Sequence, residues 1–440
     1  MDLHIIHRIC ILFFYLVQQI SSFKIGCRPS SETYYCNSIS KLFPPTEANN
    51  CNHLIIFNST LSTIDATLFT RFGAFTTFTL SNIHVREISP GSFADISNLE
   101  HLYLDHNNLT TIEKKVVQNL RKLQTLDISY NSITYIASEA FTGTKISSLN
   151  ISGNSLSDFN CNIKQLTTLN TLDLSHNKLL VFDLETLPNS TKTLIVARNN
   201  LENLQECKCI DSGCMSLEIL DLSFNNFSSL KRIHFTHLLN LQSLFLQGNQ
   251  LISLSSDLFS NLNKIQYLNV SSNHIKIVPY QLFDNQLYLK TLDLSNNEIK
   301  VFKPLMYQNL FNLDSLYLQN NSLDYLNVPS FQSIGLKYIS LDDNNFLCNN
   351  LMRMLNIFKS SNITVYNAKH VETSNINDLY CIPNDLSPSS QYLTSNIKTV
   401  VFVSLAVVLV TISIPWIWWY RRRKVRSRES EREITLFSGS

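Results

Sequence analysis

Residues 289–302 read LKTLDLSNNEIKVF. Leu289, Leu292, Leu294, Asn297 and Ile299 fill the frame L-x-x-L-x-L-x-x-N-x-L. Intervals of two and three residues do not match the 3.6-residue period of a helix. They suit one short strand with alternate side chains turned inward, followed by a tight turn. A single unit of this kind leaves its apolar side uncovered, so it needs further copies stacked above and below.

The copies are present. The first frame position recurs at Phe75, Leu99, Leu123, Ile146, Leu169, Thr191, Leu217, Leu241, Ile265, Leu289, Leu313 and Leu336, which makes 12 copies spaced 22 to 26 residues apart. The ninth position is Asn107, Asn131, Asn154, Asn177, Asn199, Asn225, Asn249, Asn273, Asn297, Asn321 or Asn344, and only the first copy departs, with Ile83. A buried amide must be hydrogen-bonded, and stacked asparagines can bond the backbone of adjacent turns, so the ladder reads as structural. The second half of each copy is also apolar at intervals: Ile112 after Leu109, Ile136 and Phe141 after Ile133, Val278 and Phe283 after Ile275.

Frame and period together resemble the extracellular leucine-rich repeats of Toll-like receptor ectodomains, insect leucine-rich immune proteins and cell-surface adhesion proteins, over residues 54 to 385. The resemblance implies an α/β solenoid: a horseshoe of about 12 repeats over 54–346, a parallel sheet on its concave face, and cysteine caps at 23–53 and 347–385. Cys27, Cys36 and Cys51 resemble the N-terminal cap; the family usually has four cysteines there, so their pairing stays open. Cys348 and Cys381 resemble a reduced C-terminal cap and are expected to pair, with Leu351 to Phe358 as the capping helix. Cys161, Cys207, Cys209 and Cys214 remain, three of them in the ECKCIDSGC insertion. Their spacing is compatible with zinc, but the exported setting and the lack of nearby histidine favour disulfides.

Both ends carry membrane signals. Residues 1–22 hold the apolar run ICILFFYLV, too short to span a bilayer, and read as a cleaved secretory signal. After a linker at 386–398, residues 399–420 are 22 residues without a charge, enough for one transmembrane helix. Trp416, Trp418, Trp419 and Tyr420 form an aromatic belt, and Arg421, Arg422, Arg423 and Lys424 follow. Basic residues mark the cytoplasmic side. The expectation is a type I single-pass plasma-membrane protein with an extracellular N-terminal domain and a short basic tail at 421–440, too short for a signalling domain.

Eight N-glycosylation sequons, at Asn58, Asn108, Asn150, Asn189, Asn226, Asn269, Asn320 and Asn362, fit this placement. Asn150 and Asn269 sit at the fifth frame position, where a glycan would block part of the concave sheet.

The net charge of +1 gives no global field for nucleic acid. Nine glycines argue against glycine-rich phosphate loops. Asp127, Asp173, Asp221 and Asp293 recur at the fifth position, but two or three repeats apart, so they read as a solvated face rather than a metal site. His106 and His176 are likewise three repeats apart. No catalytic arrangement and no cofactor site stands out, and a repeat solenoid presents surfaces rather than enclosed pockets, so no enzyme is expected.

Proteins of this family commonly bind through the concave sheet. Most outward positions here are polar, but Ile195, Ile219, Phe224, Phe245 and Tyr267 fall on four consecutive strands. Grouped apolar exposure marks interaction sites, whereas scattered exposure is ordinary. The resemblance implies a disulfide-bonded glycoprotein that binds an extracellular protein or a microbial or lipid ligand. It would act as a recognition receptor, co-receptor or decoy, alone, with a co-receptor or as a homodimer, with innate immunity as one setting. An adhesion or developmental membrane protein is the alternative.

Overall fold

The computed structural model describes residues 27–30, 32–37 and 51–384, except 71, 115, 119, 206–215 and 367–378. The signal segment, the 399–420 span, the tail and the insertion cysteines Cys207, Cys209 and Cys214 lie outside the described residues. Among the described residues, no helix is long and apolar enough to cross a membrane.

Each frame copy forms a three-residue strand whose middle residue is buried and whose flanking residues mostly point outward, as in Thr171–Asp173, Ser243–Phe245 and Thr291–Asp293. Strands of successive turns pair in parallel and in register, with Leu194, Leu220, Leu244, Leu268, Leu292 and Leu316 directly opposite one another. In-register pairing follows from the near-constant period: every turn returns the same frame position to the same height. Buried aliphatic side chains of this kind contribute roughly 1.5–3 kcal/mol each, and all of these leucines are fully covered.

The stack has one more turn than the frame counts. Thirteen parallel strands run from His53–Ile56 to Tyr338–Ser340. The additional first turn places Cys51, Leu54 and Ile56 in the core where leucines sit elsewhere. Its ninth position is Ser59 and its first is a cysteine, so the frame match is weak, although its packing is equivalent. The return side of each turn also differs from a helical expectation. It consists of turns, two-residue strand pairs such as Thr111–Ile112 with Tyr135–Ile136, and short 3-10 segments such as Ile163–Gln165, Leu184–Thr186 and Arg232–Phe235. A repeat of about 24 residues leaves too few for a full α-helix after the strand and asparagine turn.

Aromatic rings fill the return side. Phe235, Phe259 and Phe283, from three successive turns, form a column with centroid spacings of 6.2 and 6.5 Å. Near the N-terminal end, Phe69, Phe72, Phe75, Phe78 and Phe93 pack with Tyr34 of the cap.

All eleven ladder asparagines act alike. Asn273 is typical: its Oδ1 accepts the Leu251 N–H of the preceding turn at 3.0 Å. Its Nδ2 donates to the carbonyls of Leu246, also in the preceding turn, and Val270 in its own. The side chain therefore replaces the backbone hydrogen bonds that the sharp turn forfeits. The eighth frame position, which precedes Ile83 and each of the eleven asparagines, takes positive φ in twelve consecutive turns, from Asn82 to Asp343, between 50° and 69°. Asparagine, aspartate and glycine tolerate that conformation; His106, Tyr130, His176, Arg198, Phe224 and Ser272 adopt it against a cost of about 1–2 kcal/mol.

Both ends are covered. Cys27–Ser30 and Thr33–Cys36 form an antiparallel hairpin, and its second strand pairs with the first turn. Cys36 is disulfide-bonded and lies across from Cys27 in the register. At the other end the helix Cys348–Ser360 buries Leu351, Met354, Leu355 and Phe358 over the last turn, Thr364–Tyr366 adds a final strand, and Cys348 bonds Cys381. Cys161 departs from the expectation of a disulfide. It is a free, buried thiol whose Sγ donates towards the Ser138 carbonyl at 3.8 Å, and burial pushes its pKa up to about 12. A thiol in that state is inert at physiological pH.

Candidate functional site

The outward residues of the strands form two rows across the concave face. One runs Thr193, Ile219, Ser243, Tyr267, Thr291; the other runs Ile195, Asp221, Phe245, Asn269, Asp293. Ile195, Ile219, Phe245 and Tyr267 therefore occupy four adjacent strands, alternating between the rows. The Phe245 and Tyr267 rings meet with centroids 5.0 Å apart. Ile219 is 37% exposed, unusual for an aliphatic residue in mid-sheet. Their strands lie about 4.8 Å apart, so the four side chains form one apolar strip among Thr193, Asp221, Ser243 and Asn269.

Phe224 does not belong to it. It sits at a positive-φ turn position on the rim, with the Arg198 guanidinium of the preceding turn 4.2 Å from its ring centroid. On the following turn the ring lies over Gly248, where a Cβ would collide with it. Tyr130 repeats the device, stacked on His106 at 4.6 Å and lying over Gly153. In both cases glycine leaves the space that an aromatic ring from the previous turn occupies. Frame counting puts Phe224 on an outward position but does not separate sheet from rim.

Three aromatic residues extend the concave surface beyond the sequence-derived set. Tyr317, Tyr338 and Tyr366 lie on the last three strands, and Tyr338 packs edge-on against Tyr366 at 6.5 Å. Tyr317 and Tyr338 occupy outward frame positions and were accessible to the same counting. Tyr366 lies in the cap strand, which carries no frame. Burial raises the Tyr267 hydroxyl pKa, and the Asp293 carboxylate and Tyr317 hydroxyl add to the rise. Tyrosines of this kind offer apolar area with a polar tip and little conformational entropy to lose, which suits protein contact.

The acidic row is not a solvated face. Each carboxylate accepts the backbone N–H two residues on: Ser129 to Asp127 at 2.9 Å, Ser175 to Asp173 at 2.8 Å, Ser223 to Asp221 at 2.9 Å, Ser295 to Asp293 at 2.9 Å. Asn150 and Asn269 make the same bond to Ser152 and Ser271. Where the fifth position is aspartate or asparagine, in these six strands, it thus closes the strand end, and its side chain turns along the sheet instead of standing free. Asn269 is buried, and the Asn150 Nδ2 donates to Asp127, so these two sequons offer no free amide on the concave face. Asn58, Asn108, Asn189, Asn226, Asn320 and Asn362 are exposed.

Burial holds the carboxyls of Asp127, Asp173 and Asp293 above the ordinary carboxylate range. A raised folded-state pKa means that ionisation disfavours the folded form. The penalty is complete above the folded value and fades as pH falls through it towards the unfolded one. Asp293→Asn keeps the bond to Ser295 and removes the charge, as Asn269 already does one turn earlier. Thermal denaturation should show Asp293→Asn more stable than the parent at pH 7, with the difference shrinking as the pH is lowered into the carboxylate range.

Among the described residues no group of three or more His, Cys, Asp or Glu side chains is placed to hold a metal ion. His106 is engaged with Asp105, Nδ1 to Oδ2 at 2.9 Å, and with Tyr130.

The leucine rich repeat family model matches residues 50–109, 97–156, 215–275 and 287–346, together more than half of the chain. Adenylate cyclase of Schizosaccharomyces pombe is 30% identical over 174 residues, 37% of this chain but 10% of that protein. Lumican of Rattus norvegicus is 30% identical over 164 residues, 37% of this chain and 41% of lumican. The chain thus spans less than half the length of either relative. Among solved structures, a leucine-rich repeat protein of Leptospira interrogans superposes with TM-score 0.65 at 22% identity, over 76% of this chain and 89% of that one. The LRIM1/APL1C complex gives 0.59 at 20% identity, over 94% and 80%. Toll in its complex with Spatzle from Drosophila gives 0.61 at 19% identity, over 73% and 47%. These likenesses concern the fold. The family match, the eleven-rung asparagine ladder and the in-register parallel stack agree on one assignment: the chain belongs to the leucine-rich repeat family.

Proposed function

We propose that this chain is a cell-surface recognition protein that holds a protein partner against its concave sheet, as a receptor, co-receptor or decoy, in a setting of innate immunity. The carrying observation is the strip Ile195, Ile219, Phe245 and Tyr267, set among threonine, aspartate, serine and asparagine on the same four strands. A rigid parallel sheet positions these side chains without an ordering cost on binding, and aromatic residues within a polar surround are the usual anchors of protein interfaces. The named complexes LRIM1/APL1C and Toll–Spatzle support a protein as the partner class. An open solenoid surface of leucine-rich repeats suits binding rather than catalysis.

The signal segment at 1–22, the apolar span at 399–420 and the basic residues after it support a type I placement with the solenoid outside the cell. Six exposed sequons agree with that side.

The test is covalent crosslinking on intact cells that express the full chain, comparing the parent with Ile219→Ser/Phe245→Ser. Partners recovered with the parent should be lost with the double variant, at unchanged surface expression. Equal recovery removes the concave strip from the interface. A chain inaccessible to a membrane-impermeant label removes the cell-surface placement.

A further inference from the structure

A second surface lies on the opposite side of the stack, after the asparagine turn. Three successive turns there leave a groove of about 930 Å³, lined by Ile277, Val278, Pro279, Tyr280, Val301 and Met306 among others. Val278 and Met306 form a covered floor, while Ile277 is 70% exposed and Val301 44%. Exposed apolar residues continue along the same side, with Ile252 before the groove and Leu305 and Tyr325 after it. An isoleucine as open as Ile277 gains nothing from the solenoid's own packing, and several together mark a contact surface.

The rim is basic. Lys276, Lys300 and Lys303 line it. Lys276 pairs with Glu298 at 3.5 Å, and Glu298 also meets His274 at 3.3 Å. Lys300 and Lys303 are exposed and have no ion-pair partner among the described residues. None of the eight sequons falls between 274 and 306, so the groove carries no glycan site of its own.

We propose that this groove binds an extended acidic segment of a partner protein, in which aliphatic side chains alternate with carboxylates. The alternation follows from the geometry: apolar side chains enter the groove between Ile277 and Val301, and the intervening carboxylates meet Lys300 and Lys303. A planar lipid surface would touch the protruding Ile277 but not the recessed Val278 and Met306, which favours a chain that can descend between the walls. A cleft across three turns about 4.8 Å apart accepts roughly three to five extended residues at ~3.3 Å each.

The experiment immobilises the full-length chain and measures binding of a synthetic octapeptide of alternating leucine and glutamate. A matching leucine–lysine peptide and phosphatidylserine-containing vesicles serve as comparisons. The acidic peptide should bind and the basic one should not, with affinity falling as salt is raised. Lys300→Glu/Lys303→Glu should weaken the acidic peptide by about tenfold or more and admit the basic one. Ile277→Ser/Val301→Ser should weaken it without reversing the charge preference. Ile219→Ser/Phe245→Ser, on the concave face, should leave it unchanged, which keeps this test separate from that of the concave strip. The groove positions Ile277, Lys300, Val301 and Lys303 are exposed and Phe245 is half-buried, and circular dichroism is used to check that each variant is folded. Equal binding of both peptides, no binding of either, or indifference to the groove substitutions overturns the proposal. Vesicle binding without peptide binding assigns the surface to lipid instead.

Discussion

Asn273→Ala is expected to lower the unfolding free energy by about 2–3 kcal/mol, because a buried group left unbonded costs roughly 1–3 kcal/mol. Alanine would strand the Leu251 N–H of the preceding turn and take one of two amide donors from the Leu246 carbonyl, which Asn249 Nδ2 also reaches at 2.9 Å. The asparagine is 5% exposed, so water cannot replace its amide without opening the stack. Asn273→Asp sharpens the test. The carboxylate keeps the acceptor, loses the donor and adds a buried charge. It should therefore be worse than alanine at pH 7 and partly recover at low pH, where the protonated carboxyl donates once. Because each turn contacts only its neighbours, a fault at this rung should also divide the unfolding curve into two steps. Urea denaturation followed by circular dichroism reads both effects. A loss below about 1 kcal/mol would mean that the ladder is dispensable.

Phe259→Ala should cost about 3–5 kcal/mol, through a cavity rather than an unmet hydrogen bond. Phe259 is fully buried and stands between Phe235 and Phe283 in the return-side column. The rigid concave sheet on one side and the return turns on the other limit how far the neighbours can close the gap. Phe259→Leu, which keeps most of the volume, should cost less than about 1.5 kcal/mol. The double variant Phe259→Ala/Phe283→Ala should lose less than the sum of the single losses, since both would open one shared cavity. Strict additivity would show that the rings do not act as a column.

The repeat frame was legible because its physics is local. A leucine at the fourth position enters the core wherever the strand alternates, and an asparagine at the ninth finds its partners one turn back at a fixed offset. Leu292 and Asn297 can therefore be assigned from one copy, and their rows from the period. The C-terminal cap pair Cys348–Cys381 and the capping helix followed from family resemblance and are present in the structure. The groove between Ile277 and Val301 was not legible. Both residues lie in the irregular half of the repeat, where no periodicity says which side chain is left outside.

What the sequence determined by itself was the stacking: the number of residues per turn, the inward row of leucines and the asparagine rungs. Those features depend only on intervals along the chain. Tertiary structure decided what lies beside what. It placed Phe224 on the rim under Arg198, away from the strip formed by Ile219, Phe245 and Tyr267. It turned the fifth-position aspartates into strand closures, left Cys161 as a buried thiol and admitted the Cys51 turn to the stack. Each of these outcomes turns on a contact with another turn or on how much water a side chain meets. Spacing along one strand carries the address of a residue, but its neighbours arrive from 20 to 30 positions away, and only the closed coil brings them together.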